Sequence, residues 1–390
     1  MNGAGTRAGE PRVALVTYST KPRGGVVHTV SLAGAMADRE MRVRIVALGD
    51  PEQDFFRPVR APYSLVSPSP RADTLEERVF TAIDDLEAGL SKIADEVDIF
   101  HTQDCISARA AARVRDAGAR VQVVRTVHHV DDFTTTALID CQRKAIEEPD
   151  RLVVVSEDWR NRLRAEYEVD AVVIHNGVDA DRFPPIDRER RVALRRQAGV
   201  DGRFVFLSVG GIEPRKGSTF LVQAMRILAQ RLDPGPALVV VGGHSFQDYT
   251  RYRDEVLDTL PTLGLQLGRD VILAGSISDA ELHEWYRSAD ALAFPSVKEG
   301  WGLAVLEAMA AELPVVSSDI AVLREYLTSD QTAVMTQAGD PESLAAGMYR
   351  MVTDRTLRET LIRGGRELVT NFSWQRAAEE HAVLYADLSS

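Results

Sequence analysis

The stretch 295–311, Pro-Ser-Val-Lys-Glu-Gly-Trp-Gly-Leu-Ala-Val-Leu-Glu-Ala-Met-Ala-Ala, concentrates residues that could do chemistry. From Gly302 to Ala311 every residue is apolar or glycine except Glu307. A helix that is apolar all round is a buried helix, and an ionised carboxylate inside it is costly unless bonded. A vicinal diol such as a ribose would satisfy its two oxygens, and so would an arginine from elsewhere in the chain. Glu299 stands eight positions earlier, on the loop before this helix. Gly300 and Gly302 would leave the amides of Trp301, Gly302 and Leu303 free to point at an anion or a sugar oxygen.

Two further loops suit a phosphorylated ligand. The loop 210–217, Gly-Gly-Ile-Glu-Pro-Arg-Lys-Gly, follows a β-branched run and precedes a helical stretch that Ser218 would cap. Lysine is scarce, occurring at 21, 92, 144, 216 and 298, so Lys216 beside a glycine stands out. With Arg215 it could neutralise a diphosphate without metal, each charge-assisted bond contributing ~1.5–3 kcal/mol. A solvated turn explains that loop equally well. The loop 19–25 ends in Gly24-Gly25 at a helix start, where backbone N–H groups are free, although it is not the dinucleotide fingerprint.

The elements that must position these loops follow from hydropathy. Short β-branched runs at 13–18, 43–47, 98–101, 121–127 and 152–155 alternate with helix-length stretches, and the pattern restarts at 204–209, 237–241, 271–274, 291–294 and 314–317. Runs this apolar indicate parallel strands covered on both faces, hence doubly wound α/β layers. Two such domains in tandem would set a cleft between their carboxyl strand edges, where ligands of open parallel sheets bind. The expected boundaries are a disordered tail at 1–11, a first Rossmann-like domain at 12–178, a linker at 179–202, a second at 203–370, and a terminal helix at 371–390. The linker's basic run, Arg190 to Arg196, reads as a solvated face paired with Asp187 and Glu189.

Composition narrows the function further. The 390 residues carry a net charge of −12, against a general nucleic-acid binder, so any anionic ligand must be held by local donors. Two cysteines, Cys105 and Cys141, are too few for a disulfide framework, which fits a reducing compartment and a cytoplasmic location. No apolar run approaches the ~18 residues of a membrane span, and the amino end lacks a secretory h-region.

Taken together, these residues resemble the retaining glycosyltransferases of family 4, which have the GT-B fold of two Rossmann-like domains. Glu299-Gly-Trp-Gly-Leu-Ala-Val-Leu-Glu307 looks like that family's Glu-x7-Glu motif, and the likeness extends to Asn176-Gly-Val-Asp179, the Gly24-Gly25 and Lys216-Gly217 loops, and Phe372-Ser-Trp374. The resemblance implies that Glu299 binds hydroxyls of a donor sugar and Glu307 the nucleotide ribose. It gives Lys216 the leaving diphosphate, assisted by the amides of Gly302 and Leu303, and sets Gly25 facing the same group. His128, in Thr126-Val-His128, would stand near the transferred sugar, with His101 and His129 as competitors. The terminal helix would cross back to the first domain. The loop from Gly275 to Asp279 would touch the base, uridine before guanosine.

One position departs from the family pattern. An arginine often follows the Val-Gly pair of the diphosphate loop, and here Gly211 stands there; Arg215 is expected to substitute. The expectation is a metal-independent hexosyltransferase with no cofactor, using a nucleotide sugar and an unidentified hydroxyl acceptor. Asp179-Ala-Asp181 lies in the linker motif and is not read as a metal site. An inactive nucleotide-sugar-binding subunit and a nucleotide-sugar epimerase are the alternatives. Oligomeric state and peripheral membrane contact are left open.

Overall fold

A computed structural model describes residues 10–70, 72–243 and 249–388. Of the tail expected to be disordered, residues 1–9 lie outside the described residues. The chain divides into two compact units, Met1–Gly177 with Trp374–Ser390, and Val178–Ser373.

The first unit is built on seven parallel strands: β1 Val13–Thr17, β2 Val43–Leu48, β3 Tyr63–Val66, β4 Ile99–Thr102, β5 Gln122–Val127, β6 Arg151–Val154 and β7 Val172–Val173. Their order is β3-β2-β1-β4-β5-β6-β7. β1 and β4 are buried along their whole length, as central strands covered on both faces must be. Helices α1 Gly24–Asp38, α2 Leu75–Ser91, α3 Cys105–Asp116, α4 Thr136–Glu147 and α5 Glu157–Tyr167 connect them. Local chemistry starts these helices: Thr74 with Glu77 and Asp104 with Ser107 form reciprocal caps on α2 and α3.

The second unit has six parallel strands: β8 Val205–Val209, β9 Ala237–Val241, β10 Val271–Gly275, β11 Ala291–Phe294, β12 Val315–Ser318 and β13 Val334–Thr336, in the order β10-β9-β8-β11-β12-β13. Its helices are α6 Arg188–Gln197, α7 Ser218–Arg231, α8 Thr250–Thr259, α9 Asp279–Ser288, α10 Leu303–Ala310, α11 Ala321–Arg324, α12 Pro341–Thr353 and α13 Arg355–Val369. The last helix, α14 Trp374–Leu388, returns to the first unit and packs on α1, where Trp374 meets His28 edge to face. Among the described residues no helix is long and apolar enough to cross a membrane.

The stretch 179–202 is not a linker. It belongs to the second unit, and its basic helix α6 is held by acids far away in sequence: Arg190 by Glu284, and Arg191 and Arg195 by Asp290. Asp187 caps α6 instead of pairing across its face. Ser218, expected to cap α7, instead receives the backbone N–H of Glu213 on its hydroxyl, and Gly217 occupies the cap position.

Strand order reverses between β1 and β4 in the first sheet, and between β8 and β11 in the second. Loops leaving the carboxyl ends of strands at such a point diverge and leave a crevice for ligand. The loop at 18–23 and Gln103 lie at the first reversal; the loops 210–217 and 295–302 lie at the second.

Candidate active site

At the reversal of the second sheet, the loop after β8 and the loop after β11 are joined by charge. Lys216 donates to Oε1 of Glu299, which also accepts from the Ser296 hydroxyl at 2.9 Å. The Glu299 side chain is 8% exposed and that of Lys216 17%, so this pair is largely out of water. Burial pushes the Glu299 carboxyl up, but Lys216 and Arg215 outweigh it and hold the group below the usual carboxylate range. Burial drives Lys216 below its ordinary value despite the adjacent Glu299. Lys216 also lies over the Phe294 ring, 5.0 Å from its centroid.

Arg215 sits one position earlier. Its Nε is 2.9 Å from Oε2 of Glu213, and its Nη1 is 3.7 Å from Oε1 of Glu299. Gly211, where the family pattern often sets an arginine, is crowded. A Cβ there would stand 2.7 Å from the Gly243 carbonyl oxygen, and one on Gly242 would stand 2.4 Å from the Gly210 carbonyl carbon. The ends of β8 and β9 therefore meet backbone to backbone, and a side chain at 211 would require the backbone at Gly243 to shift.

Glu307 lies on α10, whose Val305, Leu306, Ala308 and Met309 are buried as their apolar run requires. Its Oε2 accepts from the Tyr286 hydroxyl at 2.8 Å. Burial and the adjacent carboxylate push the Tyr286 phenol well above its ordinary range, which keeps it a donor. Sequence reading missed Tyr286; its helical distance from Glu307 is hidden because the two lie on different helices. Gly275 ends β10 at φ +69°, and its carbonyl accepts from the Gly242 N–H. The loop after it starts α9 through a Ser278–Glu281 capping box, and α9 delivers Tyr286.

Gly302 is required by the backbone. Its φ is +94°, and a Cβ would stand 2.9 Å from the Tyr326 hydroxyl oxygen. Leu303 begins α10 just beyond it, and Gly300 precedes it on the loop. The Trp301 ring is 3% exposed and stacks among Tyr326 and Phe372, so the side chain is scaffold.

In the first unit, Gly24 and Gly25 open α1. A Cβ on Gly24 would meet nothing within 4 Å, and one on Gly25 would come no closer than 3.5 Å to His128. The fold would accept alanine at both, so these glycines answer no packing demand. His128 Nε2 is 3.1 Å from Oε1 of Gln103, and burial holds the imidazole down to about 3, hence neutral. His101, a competitor from the sequence, is fully buried between Thr126 and Tyr385 and belongs to the core. His129 is exposed and faces Asp131 at 3.4 Å. Behind His128 lies His28, its ring centroid 4.6 Å away, with Asn176 on its other side at 2.7 Å. Among the described residues no group of three or more His, Cys, Asp or Glu is arranged to hold a metal ion.

Two doubly wound parallel units with glycine loops at their strand reversals each offer the crevice at which open parallel sheets bind ligands. Comparison with known proteins agrees. The family model for glycosyl transferases group 1 matches residues 191–368, and that for glycosyltransferase family 4 matches residues 22–182. The chain belongs to this glycosyltransferase family. It is 26% identical to an uncharacterized glycosyltransferase of Methanocaldococcus jannaschii over 96% of this chain and 97% of that one. It is 29% identical to the D-inositol 3-phosphate glycosyltransferase of Salinispora arenicola, over 77% and 71% respectively. The structure of Anabaena HepE in complex with UDP and glucose superposes with a TM-score of 0.79 at 20% identity, covering 97% of this chain and all of that one.

Proposed function

We propose that this glycosyltransferase moves a hexose from a nucleoside diphosphate sugar, UDP before GDP, to a hydroxyl acceptor with retention of configuration. The buried contact of Lys216 with Glu299 carries this reading, because it sets a cation for phosphate beside a carboxylate for sugar hydroxyls at a strand reversal. Glu307, oriented by Tyr286, takes the ribose. Arg215 and Lys216 neutralise the diphosphate, with the amides of Gly302 and Leu303 at the start of α10 beside them, while Gly300 and Trp301 shape the loop and the Gly275 loop meets the base. In the first unit, Gly24 and Gly25 take a diphosphate-facing role, and His128 serves the transferred sugar.

In the reaction the bond from the anomeric carbon to the diphosphate oxygen breaks through an oxocarbenium-like state. The acceptor oxygen attacks the same face, and its proton passes to the departing phosphate. Stabilising that departing charge with fixed cations is the electrostatic route to rate. Uracil is placed first because HepE was solved with UDP.

The test is release of nucleoside diphosphate from UDP-glucose and GDP-mannose by the chain alone, with a polyol phosphate as first acceptor given the named relative. Glu299→Ala should fold and release none. Release requiring a second protein would favour a binding subunit, and conversion of donor to its epimer would favour an epimerase.

A further inference from the structure

We propose that Glu213 is a built-in counter-charge that weakens the hold on the departing nucleoside diphosphate and so sets how fast that product leaves. The proposal rests on the diphosphate-binding role assigned above to Arg215 and Lys216.

The loop 210–217 and Glu299 together place two cations against two carboxylates, a formally neutral cluster. Glu299 has sugar hydroxyls to hold. Glu213 has no such partner in view: its side chain is 7% exposed, and its Oε2 lies 2.9 Å from Arg215 Nε. Its backbone is already fixed, the N–H by Ser218 at 3.2 Å and the carbonyl by the Lys216 N–H at 3.1 Å. A neutral side chain of the same shape would therefore keep the loop folded. What the negative charge adds is competition for Arg215.

That competition is useful in this chemistry. An arginine and a lysine facing a diphosphate in a water-poor site hold donor and product alike, and such uniform binding does not speed turnover. A fixed negative charge beside the arginine lowers affinity for both, which favours release. It acts through Arg215, so Glu213 is a positioning residue and not a catalytic one.

Isothermal titration of the full chain with UDP and with GDP tests this, alongside product inhibition of the transfer reaction. Glu213→Gln keeps the size and shape of the side chain but removes the charge. It should bind the nucleoside diphosphate about tenfold tighter, with the product inhibition constant falling in step and kcat lowered. Glu213→Asp withdraws the carboxylate by one methylene and should tighten binding about threefold, so a folding defect in one variant leaves the other to decide. If the folded variants bind no tighter than the parent while Arg215→Ala weakens binding, the counter-charge role is overturned and the diphosphate reading stands. If the parent binds neither UDP nor GDP, both are overturned.

Discussion

The Tyr286 hydroxyl points at Oε2 of Glu307 from 2.8 Å, joining α9 to α10 through the only acid in an apolar helix. Removing it should loosen the carboxylate without touching the reacting carbon. Tyr286→Phe loses a hydrogen bond of about 1 kcal/mol, and steady-state kinetics should show donor KM rising about fivefold with kcat within about twofold. Equal losses in kcat and kcat/KM would place Tyr286 in the transition state instead.

Lys216 and Glu299 are both a structural pair and, on our reading, a chemical one. Removing either alone takes the nearest counter-charge from a largely buried group, which costs up to about 3–5 kcal/mol. Lys216→Met with Glu299→Gln should recover most of that stability by urea denaturation. Turnover should remain at least about a hundredfold down, because the fixed cation for the leaving group is gone.

Gly302 is held at φ +94° with Tyr326 in the space a methyl would need. Gly302→Ala should cost about 1–3 kcal/mol of unfolding free energy, while Gly24→Ala, in open space, should cost almost nothing. A neutral result at 302 would mean the loop can adopt another conformation.

Much of this was legible beforehand because it is local. The buried strands, the apolar α10 with its lone acid, and the glycine loops all declare themselves within a few neighbours. β3 was missed because Tyr63–Val66 is partly exposed along its length, β7 because it is two residues long, and β13 because Val334–Thr336 is short. The linker reading failed for another reason. The acids that neutralise Arg190, Arg191 and Arg195 are Glu284 and Asp290, in a different part of the unit, and no spacing rule connects them. Tyr286, which meets Glu307 from another helix, was hidden in the same way.

Acid should weaken the first unit in a defined window. His28, His101 and His381 are at most 1% exposed, and burial pushes all three below the ordinary value, His381 to about 4. Unfolded, they take up protons near pH 6.5; folded, they stay neutral, so the unfolded state binds more protons as pH falls. Stability should be level above about pH 7 and decline from 6.5 towards 4, by at most about 5 kcal/mol per pH unit for these three histidines together with His128. Urea midpoints at pH 7.5, 6.5 and 5.5 check this, and a flat profile would contradict it.

Chelation separates two ways of neutralising the leaving diphosphate. If Arg215 and Lys216 do so, initial rates should be unchanged by EDTA and by added manganese. Loss of turnover on chelation, restored by manganese, would assign that task to a metal.

The backbone contact between Gly210-Gly211 and Gly242-Gly243 has an evolutionary edge. A single nucleotide change can turn a glycine codon into arginine, yet here the newcomer would wedge two neighbouring strands apart. An arginine at 211 would need a remodelled turn after β9 at the same time, so a single substitution there is not a neutral step.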